Sequence, residues 1–248
     1  MQFWRRVRTT AIAVVAFICC VFATARVASS SEDEGAQAMV FSGRDIWRNG
    51  AFANSGLVYA PGGFELDGLL FKVLLSGGLY RYDAKNLGQT VVGAEWLAQI
   101  LPGWRIKRGD AEFKFFMGPE IQQHRLWPDD LDNRLRGSSF GLRVAAELWY
   151  EPAPSLMIAA DVSLSTIATS NSTRAAFGWR VFEEMLGGLY IGPEVQYFGS
   201  DGYGHFRFGA HVTTMKTEDV EWSAAIGWAR DSDGRSSPYV RLNWLKRQ

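Results

Sequence analysis

The stretch YGHFRFGAHVTTMKTEDVEWSAAIGWARDSDGRSSPYVRLNWL, Tyr203 to Leu245, reads as three consecutive strands. Phe206, Phe208, Ala210 and Val212 share one face, and His205, Arg207, Gly209 and His211 the other. After the polar turn Lys216 to Asp219 the pattern restarts. Val220, Trp222, Ala224, Ile226 and Trp228 alternate with Glu221, Ser223, Ala225, Gly227 and Ala229. A second turn, Asp231 to Arg235, precedes Val240, Leu242 and Trp244, which alternate with Tyr239, Arg241 and Asn243. Period-two alternation over this length makes strands with two unlike faces, because successive side chains leave a strand on opposite sides. Two architectures carry such strands: a soluble sheet over a core, or a membrane barrel with lipid outside and a polar lumen.

Working outward, the same alternation recurs in short segments between turn signals. They run over Met39 to Arg48, Ala51 to Ala60, Leu69 to Tyr82, Gln89 to Ile100, Asp110 to His124, Ser138 to Tyr150, Ser155 to Ile167, Thr173 to Phe182 and Leu189 to Phe198. Asn49-Gly50 is a tight-hairpin signal. Val91 to Ala98 also fits a helical piece, and Leu101-Pro102-Gly103-Trp104 reads as the close of its segment. The total is about twelve strands, and single-chain outer-membrane barrels carry even numbers. We therefore expect an all-β, transmembrane, antiparallel up-and-down barrel. Aromatics near segment ends (Trp47, Tyr59, Tyr80, Trp104, Trp127, Trp149, Tyr150, Tyr190, Tyr197, Trp228 and Trp244) are where interfacial girdles belong. With an even strand count, the connections Asn49-Gly50, Asp83 to Gly88, Arg125 to Gly137, Ala168 to Ser172, Gly199 to Gly202 and Asp231 to Ser236 share one end, expected to be extracellular.

The totals agree with this class. The 248 residues carry 26 basic and 26 acidic side chains, so no basic stripe points to nucleic acid. A mean hydropathy of −0.08 is too polar for a helical membrane protein and suits a barrel with polar inward positions. Arg5, Arg6 and Arg8 precede the apolar run Ala11 to Phe22 and the small-residue site Ala23-Thr24-Ala25, which together read as a secretory signal peptide over residues 1–25. Its removal would take both cysteines, Cys19 and Cys20, and leave 23 basic against 26 acidic groups. Residues 26–37 are small and polar and read as a flexible mature N-terminus, leaving 38–248 as one barrel domain. The expected location is the outer membrane of a Gram-negative bacterium.

Several blocks resemble the bacterial cellulose biosynthesis accessory family BcsS. Among them are Phe41-Ser42-Gly43-Arg44-Asp45-Ile46-Trp47-Arg48-Asn49-Gly50-Ala51-Phe52, Gly77-Gly78-Leu79-Tyr80-Arg81-Tyr82, Asn133-Arg134-Leu135-Arg136-Gly137, Leu148-Trp149-Tyr150-Glu151-Pro152, Phe198-Gly199-Ser200-Asp201-Gly202-Tyr203 and Trp228-Ala229-Arg230-Asp231-Ser232-Asp233-Gly234-Arg235. The resemblance spans nearly all of the chain after residue 38. It implies work beside the cellulose synthase and export machinery, as scaffold or conduit, with the cellulose chain, other synthase subunits and outer-membrane lipid as partners. It brings no reaction, catalytic residue or cofactor.

The residues themselves offer three kinds of site. The polar strand faces hold Lys72, Glu112, Lys114, Arg143, Glu147, Asp161, Arg174, Arg180, Glu194, Arg207, Glu221 and Arg241, the expected lumen charges. On the loops, Trp127 and Tyr203 could stack on sugar rings while Asp129, Asp130, Arg134 and Arg136 hydrogen-bond hydroxyls, a candidate glucan contact. His124, His205 and His211 would serve a lipid-modifying hydrolase only with a serine in reach. The sequence pairs none of them with one, so we expect no enzyme. Asp231-Ser232-Asp233-Gly234 opens like a calcium loop but lacks the closing Glu, so we read it as a turn and expect no metal. A general small-solute pore is the remaining alternative.

Overall fold

The structure, a computed structural model, describes residues 36–84, 87–182 and 188–248. The expected signal peptide and most of the polar stretch after it lie outside the described residues. Twelve strands follow in order: β1 (Ala38–Trp47), β2 (Gly50–Tyr59), β3 (Gly68–Ala84), β4 (Gln89–Arg108), β5 (Ala111–Trp127), β6 (Gly137–Ala153), β7 (Leu156–Ser165), β8 (Asn171–Val181), β9 (Leu189–Ser200), β10 (Tyr203–Thr217), β11 (Val220–Asp231) and β12 (Ser236–Arg247). Each pairs antiparallel with its neighbours, and β1 closes on β12 with Met39 opposite Arg247 and Trp47 opposite Tyr239. Closure leaves no unpaired edge, which is what a sheet needs where no water can satisfy its backbone.

The side chains sort by parity. Ile100, Met117, Phe140, Ile226 and Trp228 are each more than half exposed on the outside. Their inward neighbours Leu101, Phe116, Ala225 and Ala229 are buried. A continuous apolar outer surface of this extent is unlike a soluble monomer and is the lipid-facing surface of a membrane barrel. The opening stretch follows the expected register: Phe206, Phe208 and Ile226 point out, and Arg207, His211 and Asp231 point in and are buried.

One alternative is settled and two expectations change. The stretch Val91 to Ala98 is strand, and Leu101-Pro102-Gly103-Trp104 does not close it. β4 runs twenty residues to Arg108, and the turn is Gly109-Asp110. Pro102 is accommodated at an outward position opposite Phe71. Third, Trp47, Tyr80, Trp149 and Tyr190 do not belong to an outer girdle. Trp47 packs with Ala225, Ala229 and Tyr239, Trp149 packs on Met157 and Tyr190, and Tyr80 bonds to His124, all inside. Nearness to a strand end places a ring at interface height, but the pleat decides its side, and these four share parity with lumen residues.

Candidate functional site

The lumen is the candidate site, and its two ends differ. At the terminus end, Val58, Ala60, Leu70, Leu101 and Phe116 form an apolar cluster inside the barrel, with Met39, Phe41 and Phe64 packed on it. The β2–β3 connection is drawn under this cluster by Arg105, whose guanidinium donates to the carbonyls of Gly63, Phe64 and Leu66. The Lys107 ammonium holds Glu65, and the Lys107 backbone N–H and then the Arg108 guanidinium hold Asp67; these bonds lower both carboxyl pKa values from their ordinary range. Beside the cluster lies a polar cavity of about 310 Å³ lined by Glu112, Lys114, Trp149, Thr213 and Asn243.

At mid-height the charges pair across the lumen. Lys72 meets Glu147 at 2.6 Å, and Arg174 bridges Asp161 at 3.0 Å and Glu194 at 2.9 Å. Glu194 also accepts from Arg241 at 2.6 Å and from Gln196 and Tyr239. A second centre is Glu120, which accepts from Arg143, Gln99, Gln122 and Ser165. Arg207 pairs with Asp45 beneath the rings of Phe198 and Tyr239. Buried charges require this, since each unpaired one would carry its full desolvation cost. The belt of Lys72, Glu147, Asp161 and Arg174 borders the space above it and the space below.

Above the belt the barrel opens into a vestibule of about 1240 Å³, larger than a typical small-ligand cleft of roughly 300–1,000 Å³. Its wall carries Phe52, Tyr80, Tyr82, Phe198 and Tyr203 between the amides Asn54, Gln99 and Gln122. Trp47, His205 and Phe198 stack in succession at 4.9 and 4.7 Å between ring centres. The β5–β6 connection folds over the mouth: Asp130 is buried and accepts from the Tyr82 hydroxyl at 2.8 Å, and Arg134 reaches Asp201 at 3.4 Å.

The loop residues read as a glucan contact therefore separate. Asp130, Arg134 and Tyr203 line the vestibule. Trp127 stands at outward parity opposite Val92, and Asp129 and Arg136 pair with each other at 2.7 Å on the exposed side of the loop. The hydrogen bond from Arg136 lowers the Asp129 pKa. Of the lumen charges, Lys114 pairs with Glu112 at 2.6 Å, Arg180 stands over the Tyr190 ring at the terminus end, and Glu221 sits at inward parity near the start of β11. Sequence reasoning left out Asp45, Glu95, Arg105 and Glu120, and with them the inward rings of Phe52, Tyr80, Tyr82 and Phe198. Parity with a recognised lumen residue on the same strand was the available signal for Glu120, Tyr80, Tyr82 and Phe198, whereas β1, β2 and β4 held no recognised lumen residue to set it for Asp45, Phe52, Glu95 and Arg105.

The three histidines face inward. His124 bonds to Tyr80 and Gln122, His211 bonds to the Phe177 carbonyl, and His205 lies within the ring stack. Asp231 accepts from Arg235 and Asn49, which makes Asp231 to Arg235 an ion-paired turn. Among the described residues no group of three or more His, Cys, Asp or Glu could hold a metal ion.

A family model described as "Cellulose biosynthesis protein BcsS" matches residues 39–248, the whole barrel. The chain belongs to the BcsS family. This makes it a cellulose-biosynthesis-related barrel of the outer-membrane type. No curated protein matches the sequence. Among solved structures, the COG4313 outer membrane channel from Pseudomonas putida F1 is similar with a TM-score of 0.52 and 11% identity, over 90% of this chain and 98% of the channel. The beta domain of the Bordetella autotransporter BrkA gives a TM-score of 0.51 at 10% identity, over 86% of this chain and 99% of that domain. Both likenesses concern the fold alone, so what this BcsS barrel does has to be argued from its lumen.

Proposed function

We propose that this BcsS barrel is a non-enzymatic accessory of cellulose secretion that acts as a closed scaffold in the outer membrane and does not conduct the glucan. The observation that carries this reading is the mid-lumen belt: Lys72–Glu147 and the Asp161–Arg174–Glu194–Arg241 chain stand between vestibule and terminus end. The Arg105-anchored apolar cluster supports it by filling the other side of the lumen. A conduit for a polymer needs a continuous aqueous path, and its selectivity is set by the groups lining that path. The reading as a non-enzyme is supported by the partners of the three histidines, none of which is a serine hydroxyl.

Two measurements test it. The purified barrel in planar bilayers should give conductance near baseline, and a stable open channel would replace the scaffold with a pore. Deleting the gene in the source bacterium should lower the cellulase-released glucose recovered from the cell surface. Unchanged cellulose would remove the accessory role.

A further inference from the structure

We infer that the vestibule holds a binding platform for a neutral, β-linked glucan segment, built from the tiled rings of Phe52, Tyr80 and Tyr82. The inference deepens the accessory role proposed above and rests on it for the identity of the sugar polymer.

The platform is visible in how the rings lie. A Cβ on Gly78 would meet the Phe52 ring at 2.3 Å, and one on Gly93 would meet three ring carbons of Tyr80 at 2.3–2.7 Å. Both glycines stand at inward positions, Gly78 opposite Phe52 and Gly93 opposite Tyr80. Each ring is thus laid flat over the backbone of the neighbouring strand, one face on the wall and the other toward the lumen axis. This is the arrangement in which a cross-strand aromatic covers a glycine. Tyr82 continues the surface: its ring centre is 6.2 Å from that of Tyr80 with only 20° between the planes. Upright rings would have filled the lumen. Flat rings leave it open and present their faces to it.

The faces call for a ligand with flat, weakly polarised C–H surfaces, since the ring face is the negative pole of its quadrupole. A β-1,4-linked glucose unit has this shape, with equatorial hydroxyls around the edge and axial C–H bonds on both faces. The edge hydroxyls need hydrogen-bond partners, and two on the vestibule wall stand unused. Among the described residues, the Asn54 amide and the Glu95 carboxylate make no hydrogen bond and no ion pair. The wall offers a polyanion no excess of cations: eight acidic and four basic side chains line the vestibule, and Lys72, Arg134, Arg174 and Arg235 are paired with five of those acids. An unpartnered carboxyl beside a ring platform gives a uronate chain no counter-charge and can hydrogen-bond a neutral sugar hydroxyl.

Calorimetric titration of the purified barrel in detergent tests this with three hexasaccharides: cellohexaose, maltohexaose and hexagalacturonate. Cellohexaose should bind, maltohexaose at least tenfold more weakly and hexagalacturonate not at all. Phe52→Ala and Tyr82→Ala should each weaken cellohexaose at least tenfold, whereas Phe115→Ala, on the lipid face, should leave it unchanged. A second readout keeps every ring in place. In Ser76→Cys, which puts a thiol on the vestibule wall, cellohexaose should slow labelling by a water-soluble thiol reagent, with the unsubstituted protein as background. Absence of cellohexaose binding, or binding that survives both ring substitutions and leaves Cys labelling unprotected, overturns the platform. Preference for hexagalacturonate overturns the charge argument with it. These outcomes are separate from the deletion experiment: reduced cellulose without cellohexaose binding retains the accessory role and removes the platform.

Discussion

The two ends of this lumen use one strand pattern and opposite chemistry. At the terminus end, inward positions of β2 to β5 carry Val58, Leu70, Leu101 and Phe116, packed into a cluster under Arg105. At the loop end the same strands carry Phe52, Asn54, Tyr80, Glu95 and Gln122 around open space. The first is packed as a protein core and contributes stability. The second gives up that packing and keeps rings and amides available. Between them lies a belt of buried ion pairs. The difference teaches that a barrel of twelve strands need not be uniformly plugged or uniformly open. It can pack one end of its lumen like a core and leave the other open.

The largest effect should come from breaking the belt at its most connected carboxylate. Glu194→Ala leaves Arg241 without its carboxylate and Arg174 with Asp161 alone, and should cost about 3–5 kcal/mol or prevent folding. Denaturant titration of the barrel in lipid vesicles measures it. Phe116→Ala tests the packed end: Phe116 is only 2% exposed, and its loss should cost about 3–4 kcal/mol while leaving cellohexaose titration at the loop end unchanged. Equal stability loss from Phe52→Ala would mean that the two ends are not distinct. Removing both partners in Lys72→Ala/Glu147→Ala leaves no orphaned charge, so stability should change by less than about 1.5 kcal/mol. Conductance should nevertheless rise, because the two cavities share Glu147 on their linings.

The smallest effect belongs to the loop. Its bond to Arg136 lowers the Asp129 pKa below the ordinary 3.8. The pair therefore contributes fully above that ordinary value and loses its contribution as pH falls through the lower folded value. Amide exchange in 128–136 should accelerate only at such acid pH, and Asp129→Asn should bring the same acceleration at neutral pH. Both groups are exposed, so the barrel's overall stability should not move measurably.

Much of the architecture was legible in residues alone. The alternation of Phe206, Phe208, Ile226 and Trp228 against Arg207, Glu221 and Arg241 established strands, faces and register, because a pleated chain converts period two directly into inside and outside. The lumen charges were legible for the same reason. The extent of β4 was not: Pro102 and Gly103 carry turn propensity, and only hydrogen-bonded neighbours on both sides hold them in a strand. Trp47, Tyr80, Trp149 and Tyr190 were assigned by their position along the strand, which sets height but not side.

By itself, then, the sequence determined that this chain is a barrel of about twelve strands resembling the BcsS family, and which of its strand charges turn toward the axis. Parity and turn chemistry are local properties, written every two residues. The tertiary structure decided which inward residues meet. Lys72 finds Glu147 seventy-five residues away, and Arg207 finds Asp45 at a separation of 162. It also decided that Phe52 and Tyr80 lie flat on Gly78 and Gly93. Such pairings depend on closure and on the stagger of strands around the ring. Both are properties of the whole sheet, which no single strand encodes.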